Sequence, residues 1–246
     1  QQADKFIDLN PSRELDLIFM IDNSGSMREE QDNLKRNFKV LIDELRKIPG
    51  GLPNVHIGIV SSDVGAGGTM ITGNPACNRA GGDRGAFQVK AGCGLDPAMG
   101  RFLISDQSSG QVQKNFTGNL EDVFSCMVAL GTLGCGYEHQ LQAARLALAT
   151  NVNPENANFL RPDALLGVIF ITDEDDCSGH PQSDLYADTS FTGMQASLRC
   201  GLTGHVCNGQ APPRMPFSTP IENCRAANAG EIPTHNYQDA TDGNKE

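Results

Sequence analysis

LIFMIDNSGS, residues 17–26, joins five apolar residues to a short polar loop. The apolar half shows no alternation with polar residues, which is typical of a central parallel strand covered on both faces. Residues 27–48 follow the loop and place apolar side chains at helical spacing. In open α/β sheets, ligands bind in loops at the carboxyl ends of the strands. The sequence therefore predicts an α/β fold with a ligand-binding loop at residues 22–26.

This loop is rich in oxygen donors. Asp22 offers a carboxylate, and Ser24 and Ser26 offer hydroxyls at alternate positions. Gly25 allows a tight turn, so that both hydroxyls can face one point. Such hard oxygen donors suit Mg²⁺, Mn²⁺ or Ca²⁺ better than zinc. The alternative is an ordinary polar connection in which Ser26 caps the following helix.

The Asp-x-Ser-x-Ser pattern resembles the signature of the von Willebrand factor A domain family, whose members carry a metal-ion-dependent adhesion site. That site takes further oxygens from a glycine-flanked Thr between two helices and from an Asp that closes an apolar strand. These positions match Thr132, between Gly131 and Gly134, and Asp173, after the apolar run 165–171. The resemblance therefore implies five metal-ligating residues: Asp22, Ser24, Ser26, Thr132 and Asp173.

Both downstream positions have simpler interpretations. Thr132 could cap the helix that follows it. The acidic run 173–176 could be a solvated loop or a calcium loop, although the alternating oxygens, central Gly and final Glu of an EF-hand are missing. The sequence also departs from the family, because Glu174 stands where many relatives have Gly. The Cys-containing run 173–178 resembles secreted bacterial members of the family.

The resemblance implies a binding function rather than an enzyme. A divalent cation, Mg²⁺ in the first place and otherwise Mn²⁺ or Ca²⁺, would bridge the site to an acidic side chain of a protein partner. One alternative is a structural, disulfide-stabilised module without a working metal site. Another is a metal-dependent hydrolase, for which Glu174 and His139 are the candidate bases.

The predicted fold is Rossmann-like, with a mostly parallel central sheet flanked by helices. The domain spans residues 15–176 and contains a Cys-rich loop insertion at about 61–118. A Cys/Pro-rich tail, 177–246, either forms a separate loop-rich region or continues the domain, although the two further strands and helices of the family are not visible there. Beyond the first strand and helix, the elements predicted are strands at 55–60 and 102–104, helices at 119–130 and 138–150, a strongly buried strand at 165–171 and a short tail helix at 188–198.

The eight cysteines form no Cys-x-x-Cys pair and lie in glycine-rich segments, which predicts up to four disulfides and an oxidising compartment. The alternative is a zinc site with help from His180, His205 or His235. Because short loops close most easily, the simplest pairing joins neighbours along the chain. That pairing is Cys77–Cys93, Cys126–Cys135 and Cys200–Cys207.

The net charge of −11 argues against a nucleic-acid or anionic-membrane surface, since both need a basic patch. The longest apolar run, 164–171, is far shorter than the roughly 18 residues of a membrane-spanning helix. No signal peptide is visible and the chain begins at Gln1, which suggests a mature secreted fragment. We therefore expect a secreted or cell-surface protein, periplasmic or on the outer surface in a bacterium, without direct membrane insertion.

Overall fold

The computed structural model describes most of the chain. The described residues are 13–66, 75–107, 109–178, 185–186, 199–203, 205–212 and 221–226. The predicted tail helix at 188–198 lies outside these residues, as do His180 and His235.

A five-stranded mixed sheet organises the fold, which confirms the predicted α/β class. The strands lie in the order β4-β3-β2-β1-β5, with β1 parallel to β2 and β5 and with β3 and β4 antiparallel. Ile21 of β1 lies opposite Ser61 and Ile171, so the three parallel strands end at one edge. The strands are β1 (Glu14–Ile21), β2 (Asn54–Ser61), β3 (Leu103–Asp106), β4 (Gln113–Lys114) and β5 (Leu165–Ile171).

Helices cover both faces of the sheet, at the places that the sequence predicts. They are α1 (Arg28–Arg46), α2 (Leu120–Met127) and α3 (Gln140–Leu148). Phe19 of β1 packs with Phe38 of α1 and Phe124 of α2. Ile18 and Met20 point to the other face of the sheet, where they form a second apolar core with Ala143 and Ala147 of α3. Because successive side chains of a strand point to opposite faces, the apolar run 17–21 of β1 contributes to the cores on both faces.

The predicted burial of β5 is wrong. Leu165, Leu166 and Phe170 are 66%, 46% and 41% exposed. Within the described residues β5 pairs only with β1 and so forms an edge of the sheet. An apolar sequence indicates a strand, but its cover depends on neighbours that the strand itself does not specify.

The segment predicted as an insertion, about 61–118, is partly sheet, because β3 and β4 fall inside it. Its Phe87 is fully buried and packs edge-on against Phe102 and Phe159. Arg79 contacts both Asp63 and Asp83, which ties the insertion to the end of β2. The described parts of this glycine-rich segment, 61–66, 75–107 and 109–118, thus form an ordered part of the domain.

Four disulfides account for all eight cysteines, which confirms the disulfide prediction and leaves no thiol for zinc. The predicted neighbour pairing is wrong. Since the cost of closing a loop grows only slowly with its length, the packing of the layers decides the pairing. The bonds are Cys77–Cys135, Cys93–Cys126, Cys177–Cys200 and Cys207–Cys224.

The tail contains strands that the sequence analysis missed. A short helix, α4 (Arg199–Thr203), precedes β6 (His205–Cys207), which pairs antiparallel with β7 (Cys224–Ala226). Each strand has three residues, too few to show an alternating pattern. None of the helices in the described segments is long and apolar enough to span a membrane.

Candidate metal-binding site

Three loops meet at the edge where the parallel strands end. The first follows β1 and carries Asp22, Ser24 and Ser26. The second connects α2 to α3 and carries Thr132. The third follows β5 and carries Asp173.

Asp22 is fully buried and is held by neutral donors only. Its Oδ1 accepts hydrogen bonds from Ser24 N at 2.8 Å and from Ser62 Oγ at 3.2 Å, and its Oδ2 accepts one from Thr172 Oγ1 at 2.9 Å. No Lys, Arg or His in the described part of the chain forms an ion pair with it. Because burying a carboxylate without a countercharge is costly, the site favours a positive ion.

Hydrogen bonds connect the first loop to the third. Ser24 Oγ and Ser26 Oγ are 3.3 Å apart, and Ser26 Oγ donates to Asp173 Oδ1 at 3.2 Å. Four of the five predicted ligands therefore lie in one continuous network that runs from buried Asp22 to exposed Asp173. Ser26 makes no capping bond to α1, whose N-cap is Met27, so the capping alternative for Ser26 is wrong.

The loop of Thr132 is fastened to the first loop on both sides of the threonine. Gly134 N donates to Asn23 O at 2.8 Å. Gln31 of α1 donates through Nε2 to Asp22 O at 3.0 Å and to Gly131 O at 2.8 Å, and its Oε1 accepts from Gly131 N at 3.2 Å. Thr132 lies in this loop, well before α3, so it does not cap the helix.

Supporting residues of the site escaped the sequence analysis. Gln31, Ser62, Gln140 and Thr172 all contact the loops through their side chains. Ser62 and Thr172 directly follow β2 and β5, so the sequence already indicated that both lie at the same sheet edge as the loop of Asp22. The two glutamines lie on helices, where only the packing of the helices reveals their partners.

Glu138 is buried next to the site, at 3% exposure. Burial raises its pKa to about 9, helped by a side-chain contact with Glu174 and by the charges of Glu174 and Asp22. Its Oε1 has no hydrogen-bond partner among the described residues. This carboxyl group therefore retains a proton at neutral pH when no cation lies nearby.

His139 has a scaffold role. Its Nε2 is 2.8 Å from Gly65 O in the insertion, and its Nδ1 is 3.3 Å from the hydroxyl of Tyr186. Burial lowers the pKa of His139 to about 4. Both ring nitrogens contact groups other than the five predicted ligands, so His139 is poorly placed to act as a general base there.

The donor set consists of two carboxylates and three hydroxyls. The described residues contain no group of three or more His, Cys, Asp and Glu side chains placed to hold a metal ion. A cation at this site would consequently depend on the hydroxyl oxygens of Ser24, Ser26 and Thr132, which suit Mg²⁺-type ions.

Comparison with known proteins gives no match, since neither a family model, nor a curated protein, nor a solved structure is similar to this chain.

Proposed function

We propose that this chain is a von Willebrand factor A-type binding module, in which a divalent cation bridges the protein to an acidic group of a protein partner. The observation that carries the proposal is the network from Asp22 through Ser24 and Ser26 to Asp173. It joins two separate loops into the oxygen set that the sequence pattern implies. The loop of Thr132, the fifth ligand, is fastened to the same centre.

The charges favour bridging over full enclosure of the ion. Asp22 and Asp173 supply only two negative charges, and the remaining donors are neutral hydroxyls. Ser26 and Asp173 are exposed, which leaves an approach from solvent. A carboxylate of a partner can take an open position on the ion in a charge-assisted contact. Mg²⁺ fits this arrangement best, because it commonly retains water or outside ligands.

Binding is favoured over hydrolysis by the state of the candidate bases. His139 is held by Gly65 and Tyr186, and Glu174 contacts Glu138. The proposal therefore assigns no catalytic residue. The four disulfides agree with a secreted or cell-surface location, which forms part of the proposal.

Calorimetric titration of EDTA-stripped protein with Mg²⁺, Mn²⁺ and Ca²⁺ tests the metal site. We expect saturable Mg²⁺ binding that Asp22→Ala abolishes. Ser26→Ala should also abolish it, with a smaller risk to folding because Ser26 is exposed. Asp163→Asn, an exposed charge change near the opposite end of β5, is the matched control and should bind as the wild type does.

Absence of Mg²⁺ and Mn²⁺ binding by the folded wild type would refute the proposal and favour a purely structural module. Metal-dependent hydrolysis of an ester or a peptide that Asp22→Ala abolishes would favour an enzyme instead. Once cation binding is established, peptides that differ only in Asp or Asn test the bridge. The Asp form should bind in Mg²⁺ and not in EDTA.

A further inference from the structure

The sequence contains one acceptor motif for N-linked glycosylation, Asn115-Phe116-Thr117. Asn10 is also followed by a hydroxyl residue two positions on, but the intervening Pro11 excludes it. In secreted proteins such a motif indicates a surface loop, because an N-linked glycan is bulky and extends into solvent. The fold places Asn115 differently, since this residue is only 2% exposed.

Both ends of the Asn115 carboxamide are hydrogen-bonded to the backbone at the start of β3. Its Oδ1 accepts a hydrogen bond from Ile104 N at 2.8 Å, and its Nδ2 donates one to Phe102 O at 2.7 Å. Because a backbone N–H only donates and a carbonyl only accepts, these contacts fix the orientation of the amide. Asn115 directly follows β4, so its side chain continues the pairing with β3 where the backbone of β4 ends.

The backbone of the motif is also fastened to the domain. Asp96 N donates to Asn115 O at 2.9 Å. Thr117 N donates to Gly94 O at 3.0 Å. Phe116, between these two bonds, is 6% exposed and belongs to the apolar core. Moving the motif into solvent would therefore break backbone bonds and uncover an aromatic side chain, besides breaking both bonds of the amide.

We propose that Asn115 accepts an N-linked oligosaccharide only in the unfolded chain, and that a chain with this glycan does not reach the native fold. The co-reactant is a lipid-linked oligosaccharide diphosphate. The bond between Nδ2 and the anomeric carbon forms, the bond from that carbon to the diphosphate breaks, and Nδ2 loses one proton. The lipid diphosphate is the leaving group.

The glycan and the fold compete for the same side chain. Nδ2 is both the atom that would carry the sugar and the donor to Phe102 O, in a residue that is 2% exposed. Turning the side chain outward would leave Phe102 O without its donor and Ile104 N without its acceptor. A buried group left unpaired lowers the ratio of folded to unfolded chains by roughly tenfold to a hundredfold. Two such losses strongly favour the unfolded chain.

This inference uses no residue of the proposed metal site, so it stands or falls independently of the proposed function. The four disulfides need an oxidising compartment. Protection of Asn115 also needs a compartment in which sugars are not attached to chains before they fold. Together, the two requirements favour the periplasm or outer surface of a bacterium within the proposed location.

Expression of the full chain in a eukaryotic secretory host and in a bacterial periplasm tests the inference. The matched variant is Thr117→Ala, which removes the acceptor motif and keeps the side chain of Asn115. Thr117 is exposed, and its hydroxyl lies 3.5 Å from Gly94 O, at the limit of a hydrogen bond. Mass spectrometry measures the glycan at Asn115 in the secreted protein and in the retained protein, whose degradation is blocked.

In the eukaryotic host we expect the glycan in retained wild-type protein and none in secreted protein. The secreted yield should fall below that of Thr117→Ala by the fraction of wild-type chains that carry the glycan, whereas the two yields should agree in the periplasm. Secreted protein with both the glycan at Asn115 and the four native disulfides would overturn the proposal. So would absence of the glycan from every fraction, or equal secretion of the two proteins by the eukaryotic host. Unequal periplasmic yields would assign the difference to Thr117 itself and would also overturn it.

Discussion

The disulfide Cys77–Cys135 fastens the insertion to the loop of Thr132, and its removal offers a quantitative test. Its sequence separation is 58 residues. Cross-linking a loop of that size restricts the unfolded chain by about 4 kcal/mol in the chain-entropy model. Cys93–Cys126, with a separation of 33 residues, joins the insertion to α2 within the apolar core. The two entropic terms differ by only about 0.5 kcal/mol.

We expect the double variants Cys77→Ala/Cys135→Ala and Cys93→Ala/Cys126→Ala to lose similar free energies of unfolding, about 4 kcal/mol each. Only the first should also weaken the proposed Mg²⁺ binding, because only Cys135 follows directly after Gly134, which is hydrogen-bonded to Asn23 in the loop of Asp22. Denaturant unfolding followed by circular dichroism measures the first quantity, and calorimetry measures the second. Equal losses of Mg²⁺ affinity in the two variants would refute this reasoning, as would no loss in either.

Further predictions concern buried charges. Arg161 donates hydrogen bonds from its backbone N and its guanidinium to Asp16, which is 1% exposed. Arg161→Met leaves this buried carboxylate unpaired and should lower the free energy of unfolding by about 3–5 kcal/mol in denaturant titrations. Adding Asp16→Asn removes the unpaired charge and should restore part of that loss. His139, with a pKa near 4 against an ordinary 6.5, excludes a proton that the unfolded chain accepts. Stability should therefore fall as the pH drops from 6.5 towards 4, and His139→Gln should flatten that slope in urea titrations across this range. Glu138 has the opposite sign, because its pKa is raised from 4.5 to about 9. In EDTA the free energy of unfolding should fall as the pH rises between those values. The melting temperature of Glu138→Gln, measured over the same pH range, should not show this fall. If it shows the same pH dependence as the wild type, Glu138 is not the group responsible.

The sequence was most informative where the pattern of one segment shows what must pack against it. The apolar stretch of β1 needs a layer on each face of the sheet, and the amphipathic helix α1 forms part of one of these layers. Ser24 and Ser26 lie in the loop after β1, and Asp173 lies in the loop after β5, as the sequence indicates. Strands, helices and the loops between them are local features and could be predicted. That these three residues bind a metal ion stays a prediction.

Features that depend on distant neighbours could not be predicted in this way. β5 has no polar residue, yet among the described residues it lies at an edge of the sheet. Its sequence does not specify what packs against it. Cys77 pairs with Cys135 rather than with Cys93, since the folded layers bring them together. Gln140 lies on a helix face whose partners are visible only after α3 is docked.

Gln31 has a consequence for how the site can move. One carboxamide on the first turn of α1 holds both Asp22 O and the backbone of Gly131. The loop of Asp22 and the loop of Thr132 are thereby both hydrogen-bonded to the same helix. A displacement of either loop must take the first turn of α1 with it or break these three hydrogen bonds. The position of the first turn of α1 is therefore linked to the positions of both loops as long as these hydrogen bonds hold.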